Sequence, residues 1–149
     1  VGKTIYDYTL AFNQEAGQGG DSLTALRYQA PDADGFREEA LAGTLALKEG
    51  RVPITRGFFD KALTYIFDEG QVKSVGLLVD GAPYVTVLCD GFPYVGVWTI
   101  EATHPFVCLE PWFGTCDKKG YEGELKDRDG VIALAGWSTW EKSYTIRVE

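Results

Sequence analysis

The sequence predicts an all-β fold, an antiparallel β-sandwich, and three observations carry that reading. Apolar residues recur with the period of two that suits strands along most of the chain. Asp-Gly pairs and other turn signals separate these runs at short intervals. No segment has the length, periodicity and caps of a helix longer than a turn or so. The chain has 149 residues, 45% hydrophobic and 13% aromatic, which is enough for a real core and fits one domain over residues 1–149.

The elements follow in order. Residues 4–12 alternate, with Tyr6, Tyr8, Leu10 and Phe12 on one face and Ile5, Asp7, Thr9 and Ala11 on the other. Residues 17–20 and 31–35, rich in Gly, Pro and Asp, read as loops. Residues 37–42 and 57–62 could each make a helical turn. Residues 40–47 alternate again through Leu41, Gly43, Leu45 and Leu47. Residues 72–79, 83–88 and 93–100 are β-branched or aromatic runs, separated by the turns Asp80-Gly81 and Asp90-Gly91. Residues 106–110, 131–134 and 144–148 complete the set, with 127–130 as a loop. About nine strands at such spacing indicate a sandwich or barrel rather than βαβ units. No repeat, low-complexity tract or linker divides the chain.

Charge and composition exclude several functions. The 22 acidic and 14 basic residues give a net charge of -8, which argues against nucleic acid as a partner because phosphate binding draws on clustered Lys and Arg. No apolar run approaches the roughly 18 residues of a membrane helix, so no membrane partner is expected. Residues 1–4 carry no signal-peptide pattern. The chain starts at Val1 and has no Met, which fits a processed, trimmed or fragmentary chain. Cys89, Cys108 and Cys116 form no C-x-x-C pair, and His104 is the single His, too few ligands for a zinc site. Reduced thiols in a cytoplasmic protein are the simplest account. The alternative is a secreted protein with one disulfide and one free thiol.

The most informative stretch is His104-Pro105-Phe106-Val107-Cys108-Leu109-Glu110-Pro111-Trp112-Phe113-Gly114. On a strand, Phe106, Cys108 and Glu110 share one face, with Val107 and Leu109 on the other. A carboxylate that continues an apolar strand is unusual, since Glu is rarely buried unless paired or functional. Pro111 cannot donate a ladder hydrogen bond, so the strand is expected to end there, with Glu110 at its terminus beside Trp112. In a cleft with an aromatic wall such a carboxylate can act as a general base or acid. The plainer reading is a rim Glu facing water.

Residues 106–114 resemble the signature F-[IV]-C-[IL]-E-P-W-x-G of the aldose 1-epimerase (galactose mutarotase) family, most closely its LacX-like branch. Phe92-Pro93-Tyr94-Val95-Gly96-Val97-Trp98 is similar to that branch's F-P-Y-[LV]-G-[IV]-W strand, and residues 120–134 resemble a further segment. The resemblance runs from about residue 6 to the C-terminus and is to the family's C-terminal half. It implies a part of a galactose-mutarotase-like supersandwich that opens an aldose ring and recloses it as the other anomer. Glu110 would then take the proton from the anomeric hydroxyl, while a His protonates the ring oxygen. Trp98 and Trp112 fall on motif aromatics and would bind substrate, packing on the apolar face of an aldohexose. No metal or organic cofactor is implied, because proton transfer between a carboxylate and an acid needs none.

The departures matter equally. The family's catalytic and sugar-binding His residues belong to an N-terminal half without counterpart in these residues. His104 matches no position the family uses for catalysis. Asp60 and Asp68 lie roughly where the family has an acidic residue before an Ala-Leu pair, but the simplest alignment puts Lys61 there. Arg56, Asp32/Asp34 and Asp127/Asp129 read as turn residues, since neither Asp pair continues into a calcium-loop pattern. Residues 17–20 lack phosphate-loop spacing. Cys108 reads as a small hydrophobe, and Trp137 and Trp140 as packing residues. The alternatives to an epimerase are a non-catalytic carbohydrate-binding β-sandwich and a plain interaction domain. Half a sandwich exposes a sheet edge or an apolar face, so self-association or a companion N-terminal segment is expected.

Overall fold

Residues 3–100 and 106–149 are described by a computed structural model. Their ten strands are β1 (Tyr8–Phe12), β2 (Ala25–Tyr28), β3 (Gly43–Ala46), β4 (Arg51–Pro53) and β5 (Thr64–Phe67), followed by β6 (Ser74–Val79), β7 (Ala82–Leu88), β8 (Tyr94–Trp98), β9 (Cys108–Trp112) and β10 (Thr145–Val148). One layer has the order β10-β7-β6-β1-β4, with every pairing antiparallel. The other comprises β5-β8-β9 and the β2-β3 ribbon. An antiparallel bridge between Gln29 and Ile66, with N–H···O bonds of 2.9 and 2.8 Å, joins β2 to β5. The second layer is therefore β3-β2-β5-β8-β9.

The period-two pattern explains why the layers stack. Tyr8, Leu10 and Phe12 point inward from β1, as the alternation requires, and Phe12 meets Phe67 of β5 edge-on at 5.2 Å between ring centroids. Val75 and Val87 from the first layer and Tyr65, Val95 and Val97 from the second complete the buried centre. The β6–β7 hairpin turns at Asp80-Gly81, both with positive φ (53° and 81°), as a tight two-residue turn demands. The Tyr65 hydroxyl donates to the Phe58 carbonyl at 2.5 Å, and burial first, then Tyr28, pushes its pKa up to about 12. Tyr65→Phe orphans that carbonyl while keeping the ring, and a loss of about 1–2 kcal/mol in urea unfolding is expected.

Several expectations are corrected. Residues 5–7 form a 3-10 turn (Ile5–Asp7) instead of opening the first strand, because Thr4 and Asp7 make a reciprocal capping box. Residues 131–134 form no strand. They find no neighbour to pair with, and Val131, Ile132 and Leu134 stay exposed. Trp137 is fully exposed rather than packed, while Trp140 lies edge-on to Phe113 at 4.9 Å. Residues 37–42 make no helical turn, because Arg37 is drawn into backbone bridges with Pro31 and Lys118. Strand β9 runs on through Pro111 to Trp112, so Glu110 lies mid-strand. An edge strand tolerates Pro, whose missing N–H can fall on the unpaired side.

Three strands were not anticipated from the sequence. Among these, β5 is buried on both faces and reads as a continuous run without alternation. All three cysteines are free thiols. No helix among the described residues is long and apolar enough to cross a membrane.

Candidate functional site

Strands β8 and β9 pair in the register Tyr94–Trp112, Gly96–Glu110 and Trp98–Cys108. Directly opposed residues share a face of the sheet. Val95 and Val97 point into the core, so these six residues line the opposite, outer face of the second layer. Glu110, Trp98 and Trp112, the three site residues expected from the sequence, are thus brought to one face. Glu110 is half-buried in the middle of the row between Cys108 and Trp112.

The aromatic wall is built on a glycine. The Trp112 Nε1–H donates to Glu110 Oε2 at 3.0 Å. The indole reaches that position by lying across Gly96, where a Cβ would come within 2.5 Å of ring carbons Cη2 and Cζ2. One carboxylate oxygen is thereby held in place. Gly96→Ala must push the ring away, so a stability loss of about 1–3 kcal/mol is expected. A shift in tryptophan emission should accompany it as the Trp112–Glu110 bond breaks. Trp98, on the far side of Glu110, stands perpendicular to Phe106 at 5.9 Å between centroids.

Cys108 differs from its sequence reading in one respect: its thiol neighbours the carboxylate. Burial first, then the charge and hydrogen bond of Glu110, hold the Cys108 thiol above its usual range. It therefore stays a neutral thiol beside the charge at neutral pH.

The floor of this face continues across the layer. Ile66 pairs with Gly96 and bridges to Gln29, so Gln29, Ile66, Gly96 and Glu110 form one row over four strands. Above Gln29 sits Arg37, which the sequence did not single out. Only 4% of Arg37 is exposed. Its Nη1 donates to Gln29 Oε1 at 3.2 Å, its Nε donates to the Cys116 carbonyl at 3.1 Å, and its Nη2 pairs with Asp129. Arg37 thus fastens the segment after β9 to β2 and fixes one border of the face. No local sequence pattern announces this, because its partners lie 8, 79 and 92 residues away.

A cavity of about 90 Å³ beside Arg37 is also lined by Lys118, Asp117, Arg128 and Asp129. Its charges are satisfied among themselves through Arg128–Asp117, Lys118–Asp129 and Arg37–Asp129.

The remaining sequence candidates lie elsewhere. Asp60 is exposed in the turn before β5, and Lys61 borders the cleft near Tyr28 and Tyr65 on the core side of the layer. Asp68 accepts from Gln71. Arg56 lies over the Tyr6 ring at 5.2 Å. His104 lies outside the described residues. Among the described residues, no group of three or more His, Cys, Asp or Glu is arranged to hold a metal ion.

Comparison with known proteins bears on the fold. No protein-family model matches the chain, and no curated protein matches it. Two solved structures do. A galactose mutarotase related enzyme from Lactobacillus acidophilus superposes with a TM-score of 0.75 at 21% identity, over 99% of this chain and 47% of its own. A galactose mutarotase-like protein from Lactobacillus casei superposes with a TM-score of 0.67 at 18% identity, over 95% of this chain and 44% of its own. The chain therefore has the all-β sandwich fold found in galactose mutarotase-related proteins and spans about half the length of these two.

Proposed function

We propose that the chain carries the base side of an aldose 1-epimerase-like site, with Glu110 as general base and Trp98 and Trp112 as the walls that receive an aldohexose. The observation that carries this reading is the arrangement of the three side chains on one face. One oxygen of Glu110 accepts from Trp112, and the half-buried carboxylate shares its face of the sheet with Trp98. The printed names of the structural neighbours, galactose mutarotase related and mutarotase-like, support the choice of sugar chemistry.

In this reaction the Glu110 carboxylate takes the proton of the anomeric hydroxyl. The electron pair left behind forms the aldehyde C=O as the bond from the anomeric carbon to the ring oxygen breaks, and an acid delivers a proton to that oxygen. Rotation of the aldehyde and reversal of both transfers give the other anomer. The cycle is neutral overall and needs no oxidant or metal. The acid is the missing part. The sequence has one His, His104, so the donor comes from that residue or from a companion N-terminal segment.

This shortage of donors favours a second reading, a carbohydrate-binding sandwich without catalysis. Polarimetry of freshly dissolved α-glucose and α-galactose separates the two. An epimerase accelerates the relaxation of optical rotation, and Glu110→Gln removes the acceleration. A binder leaves the rate unchanged but shows sugar-dependent quenching of tryptophan fluorescence. Neither effect from folded protein would rule out both readings. In either case a cytoplasmic protein acting on a soluble sugar is the proposed setting.

A further inference from the structure

At the side of the sandwich away from Glu110, β4 ends the first layer and β3 ends the second. Residues 47–50 connect these two strands, and Lys48 and Arg51 exchange backbone hydrogen bonds of 3.0 Å there. Between the layers lies a cleft of about 390 Å³, within the range of roughly 300–1,000 Å³ that small-molecule sites occupy. Its walls are mainly apolar, built from Leu45, Val52, Phe58 and Tyr65. The rings are fixed against one another. Tyr65 lies 4.7 Å from Tyr28 and 4.9 Å from Phe58 between centroids, and its hydroxyl is used on the Phe58 carbonyl.

Two polar groups on this wall are unmatched. Tyr28 is only 8% exposed, yet its hydroxyl makes no hydrogen bond among the described residues. Its ring lies over Gly43, its partner across the β2–β3 ribbon, where a Cβ would come within 2.8 Å of the hydroxyl oxygen. Lys61 borders the same cleft and makes no ion pair among the described residues. Buried polar groups ordinarily find partners. An apolar segment laid over the cleft would leave both of these unsatisfied. Both are donors, and an anionic oxygen satisfies both.

We propose that this cleft binds a small aromatic carboxylate. Its ring lies against Phe58, Tyr65 and Tyr28, and its carboxylate accepts from the Lys61 ammonium and the Tyr28 hydroxyl. Each feature of the cleft selects one part of the ligand. Rigid aromatic walls favour a flat ring, stacked or edge-on, over a flexible chain. One ammonium and one hydroxyl match a monoanion, whereas a phosphate group would bring a charge of about −1.5 to −2 to a single cation. The cleft is separate from the candidate sugar face. Tyr28 and Tyr65 point to the core side of the second layer, and Glu110 lies on its outer face. The proposal therefore stands independently of the epimerase reading.

The test is an NMR titration of the isotope-labelled chain with phenylacetate, set against phenylacetamide as a neutral isostere. The backbone amide signals of Gly43, Phe58 and Lys61 should shift saturably, with a Kd of about 1 mM or lower. Phenylacetamide should bind at least about 10-fold more weakly, because it forms no charge-assisted hydrogen bond. Lys61→Met should bring the two probes to the same affinity. Tyr28→Phe should weaken phenylacetate binding by about 3–10-fold. The same variant should not lower the urea midpoint of the free chain, since it deletes a hydroxyl that bonds nothing there. Glu110→Gln should bind phenylacetate as the wild type does. The proposal is overturned by the absence of saturable shifts at these amides, by equal affinity for acid and amide, or by discrimination that survives Lys61→Met. A lower urea midpoint for Tyr28→Phe would also count against it, because the hydroxyl would then already be bonded within the chain.

Discussion

Replacement of Arg37 by methionine is expected to lower the free energy of unfolding by about 3–5 kcal/mol, the range for breaking a buried charged network by removing one partner. The guanidinium is buried and uses its donors on Gln29, the Cys116 carbonyl and Asp129. Methionine keeps most of the apolar stem but leaves the buried Gln29 amide oxygen and the Cys116 carbonyl without a donor, at about 1–3 kcal/mol each. Asp129→Asn should cost less, because the Asp129 side chain is 49% exposed and the pair is partly screened. Exposed pairs such as Lys119–Asp32 and Lys118–Glu39 should contribute less still, because water screens them. Urea titrations of Arg37→Met, Asp129→Asn and a Lys119→Met control would establish this order. An Arg37→Met variant within about 1 kcal/mol of wild type would mean that Arg37 does not hold the segment after β9.

The same network sets the acid limb of stability. The Arg37 hydrogen bond holds the Asp129 carboxyl below its ordinary value of 3.8; burial, next in size, pushes it up, and the Lys118 charge adds to the lowering. Asp32 is held below the same value, chiefly by the Phe36 backbone N–H and then Lys119. A carboxylate whose native pKa is depressed contributes fully above its unfolded value, and the contribution is lost as pH falls through the native one. Stability should therefore hold down to about pH 4 and fall below it. In Arg37→Met the part due to Asp129 should be missing from that fall.

What the sequence disclosed and what it hid have separable physical causes. Alternation marks strands with one buried face, so β1, β6, β7 and β8 were legible. Strand β5 was not, because Tyr65, Ile66 and Phe67 are buried on both faces and leave no polar alternate. Residues 131–134 misled for the opposite reason. They carry strand-forming side chains but have no strand to pair with, and pattern alone does not say whether a partner exists. Pro111 reads as a strand end in the sequence because the rule that excludes Pro holds for central strands, whereas β9 is an edge. The site was legible where chemistry is local. Glu110 and Trp112 lie two residues apart, and Trp98 is in the adjacent hairpin strand. Gly96 and Arg37 were hidden. The role of Gly96 is the absence of an atom beneath a ring, and that of Arg37 depends on partners brought together only by the fold.

Glu110→Gln is expected to reduce any acceleration of mutarotation by about 10²–10⁴-fold, the span that a positioned general base contributes. Glutamine keeps the volume and can still accept from the Trp112 indole, so the fold and the aromatic walls should be unchanged while the basic oxygen is lost. Trp112→Phe is the informative companion. It keeps a ring over Gly96 but removes the N–H that holds Glu110 Oε2 at 3.0 Å. A hydrogen bond to a charged group is worth about 1.5–3 kcal/mol, so the rate should fall by roughly 10–100-fold, less than for Glu110→Gln. Trp98→Phe leaves the carboxylate untouched and should act mainly on sugar affinity, raising KM more than it lowers kcat. If Glu110→Gln retained wild-type acceleration while Trp98→Phe weakened sugar binding, the face would be a sugar site whose proton transfer is performed by another group.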